Sequence, residues 1–260
     1  MWDWGCARLV AWHDHRARTD HRARTKPMDC ITLNRGNARA AMFHKEADYR
    51  AFERILADGL GRYAVQLFGY ELMPNHWHLV LRPACDGEMS RFVRWITATH
   101  TMRYHAHYHT AGAGHLYQGR FKSFPIQDDE HFLTVSRYVE RNALRAGLVQ
   151  RAEKWRWGSL WRWLQKSEPA PPLLAAWPIP RLPNWVARVN EPLTTLELAA
   201  VRRCAQRGSP FGESAWIDAT AQRLGLTSTL RPCGRPRLRT PRESKHRKNN
   251  ESCPFSHPLS

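Results

Sequence analysis

A chain of 260 residues with 42% hydrophobic content and 12 Trp can bury a core, which excludes a wholly disordered protein. Its formal net charge of +17 and pI near 10.3 exceed what solubility requires and point to a polyanionic partner, nucleic acid before membrane surface. No apolar run reaches the roughly 18 residues that span a bilayer, no signal peptide precedes the domain, and the 6 cysteines lie apart without a C-x-x-C pair. The expectation is a cytoplasmic, nucleoid-associated protein with reduced thiols, no zinc knuckle and no membrane partner.

In chain order, a repeat (His15-Arg16-Ala17-Arg18-Thr19-Asp20, then His21-Arg22-Ala23-Arg24-Thr25) lacks apolar periodicity, and residues 1–25 read as a disordered, low-complexity arm; Met28, which opens the first strand-like stretch, is a candidate true start. A strand is expected over 29–33 and a helix over 45–60, with Tyr49, Phe52, Ile55 and Leu56 on one face. Strands over 65–72 and 77–81 flank Met73-Pro74-Asn75, whose Pro and Asn suit a hairpin turn. A helix over 89–108, a Gly-containing loop at 111–114, a basic strand over 120–126 and a helix over 130–146 follow, with Gly147 as the stop. This mixture implies an α+β fold on an antiparallel sheet, spanning 26–165. Prolines 169, 171, 172, 178, 180 and 183 mark 166–192 as a linker. Two helices, 193–207 with a Thr194/Glu197 capping box and 214–224, make a small helical extension over 193–230. Eight basic residues against one acid, Glu243, in 231–248 make 231–260 a disordered basic tail.

Side chains alternate along His76-Trp77-His78-Leu79-Val80-Leu81, so His76 and His78 project together and can share a metal while Trp77, Leu79 and Leu81 face the core. The pattern alone is weak, because 14 His supply on the order of one H-x-H by chance. His13/His15 lies in the arm, and His105/His107 and His107/His109 lie on a helix where i and i+2 diverge. On the 130–146 helix, Phe132, Val135, Val139, Ala143 and Ala146 form the buried stripe and leave Tyr138, Arg141, Asn142 and Arg145 on a flanking cationic face. Tyr138 and Asn142 are one turn apart, so a metal held by the Asn142 carbonyl oxygen lies near the Tyr138 hydroxyl. The plain alternative is a half-buried core tyrosine beside a solvated basic face.

Four separated motifs resemble the REP-associated tyrosine transposases of the HUH single-strand nuclease superfamily: Asn34-Arg35-Gly36-Asn37, the 72–79 segment around His76-Trp77-His78, Tyr117-Gln118-Gly119-Arg120-Phe121-Lys122-Ser123, and Arg137-Tyr138-Val139-Glu140-Arg141-Asn142 through Val149. The resemblance covers about residues 27–164. It implies a ferredoxin-like sheet with helices packed on it, a divalent metal (Mg2+ or Mn2+) on His76 and His78 with Asn142 as third ligand, and Tyr138 as nucleophile. The implied reaction cleaves and rejoins single-stranded DNA at hairpin-forming repeats through a 5′-phosphotyrosine link, as a transposase. The chain departs from the family at Ala143, where Pro is usual, and at Trp155-Arg156-Trp157-Gly158-Ser159. Arg120, Lys122, Arg141 and Arg145 are expected to track phosphates, with Tyr117, Phe121 or Trp95 as stacking faces for single-stranded or hairpin DNA. Monomer and homodimer are both compatible with the sequence. Two other classes stay open: a DNA-binding regulator with a catalytically inert HUH-like domain, which the intact His76, His78, Tyr138 and Asn142 argue against, and a metal-dependent hydrolase, for which no general base is evident.

Overall fold

Four strands, β1 (Asp29–Arg35), β2 (Val65–Met73), β3 (His76–Pro83) and β4 (Lys122–Ile126), form an antiparallel sheet in the order β2-β3-β1-β4 in the computed structural model, which describes residues 27–165 and 173–231. With helices α1 (Glu46–Leu60) and α2 (Glu88–Tyr108) as the crossovers, the chain runs βαββαβ, the ferredoxin-like arrangement, and the fold is α+β. The expected arm over 1–25 and the basic tail beyond Arg231 lie outside the described residues.

The sheet is buried on both faces, which is why its strands read as near-continuous apolar runs. Trp77, Leu79 and Leu81 of β3 pack with Phe52, Ile55, Leu56, Phe92 and Ile96 of α1 and α2 in one core. Ile31, Leu33, Val80 and Phe124 point the other way, onto Phe132, Val135, Tyr138 and Val139 of α3 (Glu130–Glu140). A register shift between Leu67 and Gly69 alters the alternation along β2. Tyr70 and Leu72 thereby stay in the first core with Leu67, while Glu71 is placed opposite His78.

The expected 130–146 helix is broken. α3 ends at Glu140, Arg141 adopts φ −88° and ψ −2°, and a single turn, α4 (Asn142–Arg145), follows. The buried Glu71 carboxylate accepts the Ala143 N–H at 3.2 Å, drawing it out of the helical ladder. The buried stripe therefore stops at Ala143, and Ala146 is exposed. Gly147 takes φ +71° and ends the helix, with the Leu148 N–H returning to the Ala143 carbonyl at 3.0 Å.

The Pro-rich stretch is packed over its described part, 173–192, although its composition suggests a linker. Beyond the short helix α5 (Ser159–Trp163), Trp177 donates its indole N–H to the Phe68 carbonyl at 2.7 Å, and Trp185, opening α6 (Trp185–Asn190), donates to Glu140 at 2.7 Å. Ala175 N–H bonds the Leu67 carbonyl and Leu72 N–H bonds the Trp157 carbonyl, which covers the β2 edge. The β4 edge is covered by Phe211, which follows α7 (Thr195–Arg207). α7 carries the expected capping box, Thr194 N–H to Glu197 at 2.7 Å and Glu197 N–H to the Thr194 hydroxyl at 3.2 Å. α8 (Ser214–Arg223) lies beyond it.

Candidate active site

Directly opposed residues of an antiparallel pair share a face, so the sheet register lays out the site. One row runs Lys122, Leu33, His78, Glu71 from β4 to β2, and the next pairs Arg35 with His76. The two imidazoles lie with ring centroids 5.1 Å apart, and the Tyr138 ring of α3 stands perpendicular to His78 at 5.8 Å. Asn142 is buried at the start of α4. The structure thus brings together His76, His78, Tyr138, Asn142 and Arg145, which the sequence assigned from two separate segments.

Burial and the Arg35 and Arg145 guanidinium groups push the His76 imidazole down to about 3. His78 is held well below its ordinary value by burial first, then by His76, Arg145 and Arg35. Both are therefore neutral, the form that can ligate a metal. His76 donates through Nδ1 to the Asn75 side-chain oxygen at 2.7 Å, which leaves Nε2 as its acceptor nitrogen. His78 Nδ1 is buried with no hydrogen-bond partner.

Tyr138 is 1% exposed, and burial pushes its hydroxyl up to about 12, opposed by Arg145, Arg202 and Arg35. The Arg145 guanidinium stands 5.2 Å over the Tyr138 ring and donates to Asn142 Oδ1 in a short bond. The Asn142 amide nitrogen is buried without a partner. Among the described residues no three His, Cys, Asp or Glu side chains cluster to hold a metal. The donor types still suit a divalent cation: two neutral imidazoles, one with an orphaned buried nitrogen, and an amide oxygen that Arg145 bonds here.

The expected phosphate-tracking residues are dispersed. Arg145 is in the cluster, and Arg141 is half-buried near Arg137 and Arg145. Lys122 shares the His78 row two strands away, roughly 10 Å along the sheet. Arg120 is exposed before β4. Tyr117 is no stacking face: it is buried, accepts the Trp77 indole N–H at 3.1 Å and bonds His100 at 2.7 Å. Trp95 is half-buried beside Tyr63, with Arg62 5.0 Å over its ring, and Phe121 is half-buried against the first core. Arg35 and Glu71 lie beside the candidate site and were missed by sequence reasoning. Carrying the β1 alternation two residues past Leu33 would have put Arg35 beside His76, whereas Glu71 depends on the β2 irregularity.

Residues 31–142 match the model of a family described as "Transposase IS200 like". Two solved structures resemble the chain at 18% identity. One is described as the REP-associated tyrosine transposase bound to a REP hairpin, with 56% of this chain and 84% of that chain covered at a TM-score of 0.45. The other is a Deinococcus radiodurans R1 protein assigned as a transposase, with 47% and 96% covered at 0.36. No curated protein matches.

Proposed function

We propose that this chain, whose residues 31–142 match the model of the IS200-like transposase family, cuts and rejoins single-stranded DNA at hairpin-forming repeats, with Tyr138 as nucleophile and a divalent ion, Mg2+ or Mn2+, on His76, His78 and Asn142. The observation that carries the reading is the convergence of a strand-borne pair of neutral imidazoles with a helix-borne Tyr and Asn on one sheet face. When bound, the ion withdraws charge from a non-bridging phosphate oxygen.

The chain's own residues supply the rest. Tyr138 Oη attacks the phosphorus and the bond to the 3′-oxygen breaks. The phenolic proton is lost to solvent and the leaving oxygen takes up a proton, giving a 5′-phosphotyrosine link and a 3′-hydroxyl. The link conserves the phosphodiester, so the reverse attack by a 3′-hydroxyl rejoins strands without a nucleotide cofactor. Arg145 and Arg35, beside Tyr138, oppose the effect of burial on the phenol and favour its anion. The partner is hairpin DNA with an unpaired flank, and no helix among the described residues is long and apolar enough to cross a membrane.

The test is incubation with an end-labelled hairpin carrying a single-stranded flank, followed by denaturing electrophoresis. A covalent protein–DNA adduct is expected from the wild type and none from Tyr138→Phe, which keeps the ring and deletes only the oxygen. Cleavage without an adduct would make the protein a hydrolase, and hairpin binding with neither would make it an inert-domain regulator.

A further inference from the structure

The turn that leads into the imidazole pair is gripped from outside the hairpin. The Met42 and Phe43 N–H groups donate to the Pro74 carbonyl at 2.7 and 3.1 Å, and the Gly36 N–H donates to the Asn75 carbonyl at 2.9 Å. All three donors belong to the connection from β1 to α1, whose first residues adopt an unusual shape. Gly36 has no room for a side chain, since a Cβ there would meet the Ala40 carbonyl oxygen at 2.4 Å. Ala38 and Arg39 take φ +48° and +63°, a left-handed conformation that residues with side chains seldom hold unless their surroundings over-determine it. The loop is anchored on its other side as well, by the Asn37 N–H to the Leu116 carbonyl at 2.8 Å. The Asn75 side-chain amide donates to the Arg39 carbonyl at 3.1 Å, and Asn75 Oδ1 lies 2.7 Å from His76 Nδ1.

These contacts fix the place of one proton. A backbone carbonyl oxygen only accepts, so the end of the Asn75 amide that faces Arg39 is the nitrogen and the end that faces His76 is the oxygen. That oxygen also only accepts, so the single proton of the neutral imidazole sits on Nδ1 and the lone pair on Nε2. We propose that Asn75 is a positioning residue of the metal site: held by the Arg39 carbonyl, it sets the tautomer and ring orientation of His76 so that Nε2 is the nitrogen offered to the ion. A ligating imidazole needs such a partner on its second nitrogen, and the strained loop supplies it through one amide. His78 has no equivalent, since its Nδ1 is buried without a hydrogen-bond partner, so the loop acts on one ligand of the pair. The inference rests on His76 being a metal ligand, as proposed above.

The tautomer is read without metal or DNA, from long-range nitrogen–proton correlations of isotope-labelled histidines in the full chain in EDTA at neutral pH, with His76 assigned by comparison with His76→Gln. In the wild type His76 should carry its proton on Nδ1 alone. Asn75→Ala should lose that preference, and Asn75→Asp, which keeps the accepting oxygen, should retain it. Mn2+ titration of the DNA-free protein, followed by loss of the free-ion paramagnetic resonance signal, should show binding weakened about 10–100-fold in Asn75→Ala and restored toward wild type in Asn75→Asp. A wild-type His76 protonated on Nε2, alone or together with Nδ1, would overturn the proposal without any variant, so a variant that fails to fold does not shelter it. Unchanged Mn2+ affinity in Asn75→Ala would overturn it as well. So would a loss of affinity with the proton still on Nδ1 alone, which would mark a merely structural change. Failure of the metal reading looks different: the wild type would then bind no Mn2+ while its tautomer is as expected, and the positioning role would fall with that reading.

Discussion

The buried imidazole pair makes the stability of the metal-free protein depend on pH in a way that can be worked out. The His76 imidazole is depressed to about 3 and His78 lies well below its usual value, whereas in the unfolded chain both titrate near ~6.5. Below that pH the unfolded chain takes up protons that the folded chain refuses, so stability is fully present above about pH 6.5 and is lost as pH falls toward the folded values. At ~1.4 kcal/mol per pH unit, moving from about pH 7.5 to about pH 5 costs about 2 kcal/mol for each imidazole, or about 4 kcal/mol for the pair. The assay is urea unfolding in EDTA at both pH values for wild type, His78→Gln and His76→Gln. Each variant should lose about 2 kcal/mol less than wild type over this interval. Differences between variant and wild type are the quantity to compare, because Asp29, Glu71 and Glu140 are raised by burial and act in the opposite sense. Parallel pH curves for wild type and both variants would show that the imidazoles can protonate in place and would refute the argument from burial and neighbouring guanidinium groups.

Glu71→Gln keeps an oxygen for the Ala143 N–H and removes a buried acid held well above its usual range by burial and by Glu140. A raised carboxyl contributes stability below about pH 4.5 that is lost as pH rises, so the variant's melting temperature should gain on wild type between about pH 5 and pH 8, and a constant offset would count against it. Asn142→Ala should raise the metal concentration needed for cleavage, with manganese restoring more than magnesium because two imidazole ligands suit it better; hairpin binding in EDTA should persist, and normal cleavage at submillimolar metal would remove Asn142 from the site.

The strand half of the site was legible because it depends on a period of two. His76 and His78 share a face wherever β3 is a strand, and Trp77, Leu79 and Leu81 show which face is core. The helix half was legible only to Asn142, since Tyr138 and Asn142 remain one turn apart even though the backbone is interrupted at Arg141 between them. That interruption involves Glu71, which a β2 register irregularity sets opposite His78, and no local pattern announces such a shift. The packed 173–192 stretch misled by composition. Its prolines suggest a linker, but Trp177 and Trp185 bring large apolar surfaces with one donor each, and both donors find buried acceptors. Tyr117 failed as a stacking face for a similar reason, because its hydroxyl completes a buried chain between Trp77 and His100.

The burial of Tyr138 bears on how the site works. A tyrosine this buried, its hydroxyl pushed up to about 12, is a poor nucleophile as it stands. Arg145 lies over the Tyr138 ring and bonds the Asn142 oxygen, so one side chain covers both the proposed nucleophile and the proposed third metal donor. A phosphate accepts stronger, charge-assisted bonds from a guanidinium than a phenol or an amide does. In the proposed reaction, a phosphodiester that draws Arg145 away would expose the phenol oxygen and release the Asn142 oxygen in one exchange. The guanidinium would then face the charge that develops on phosphorus. The two depressed imidazoles would already be neutral, so assembling the site would require no proton to leave them.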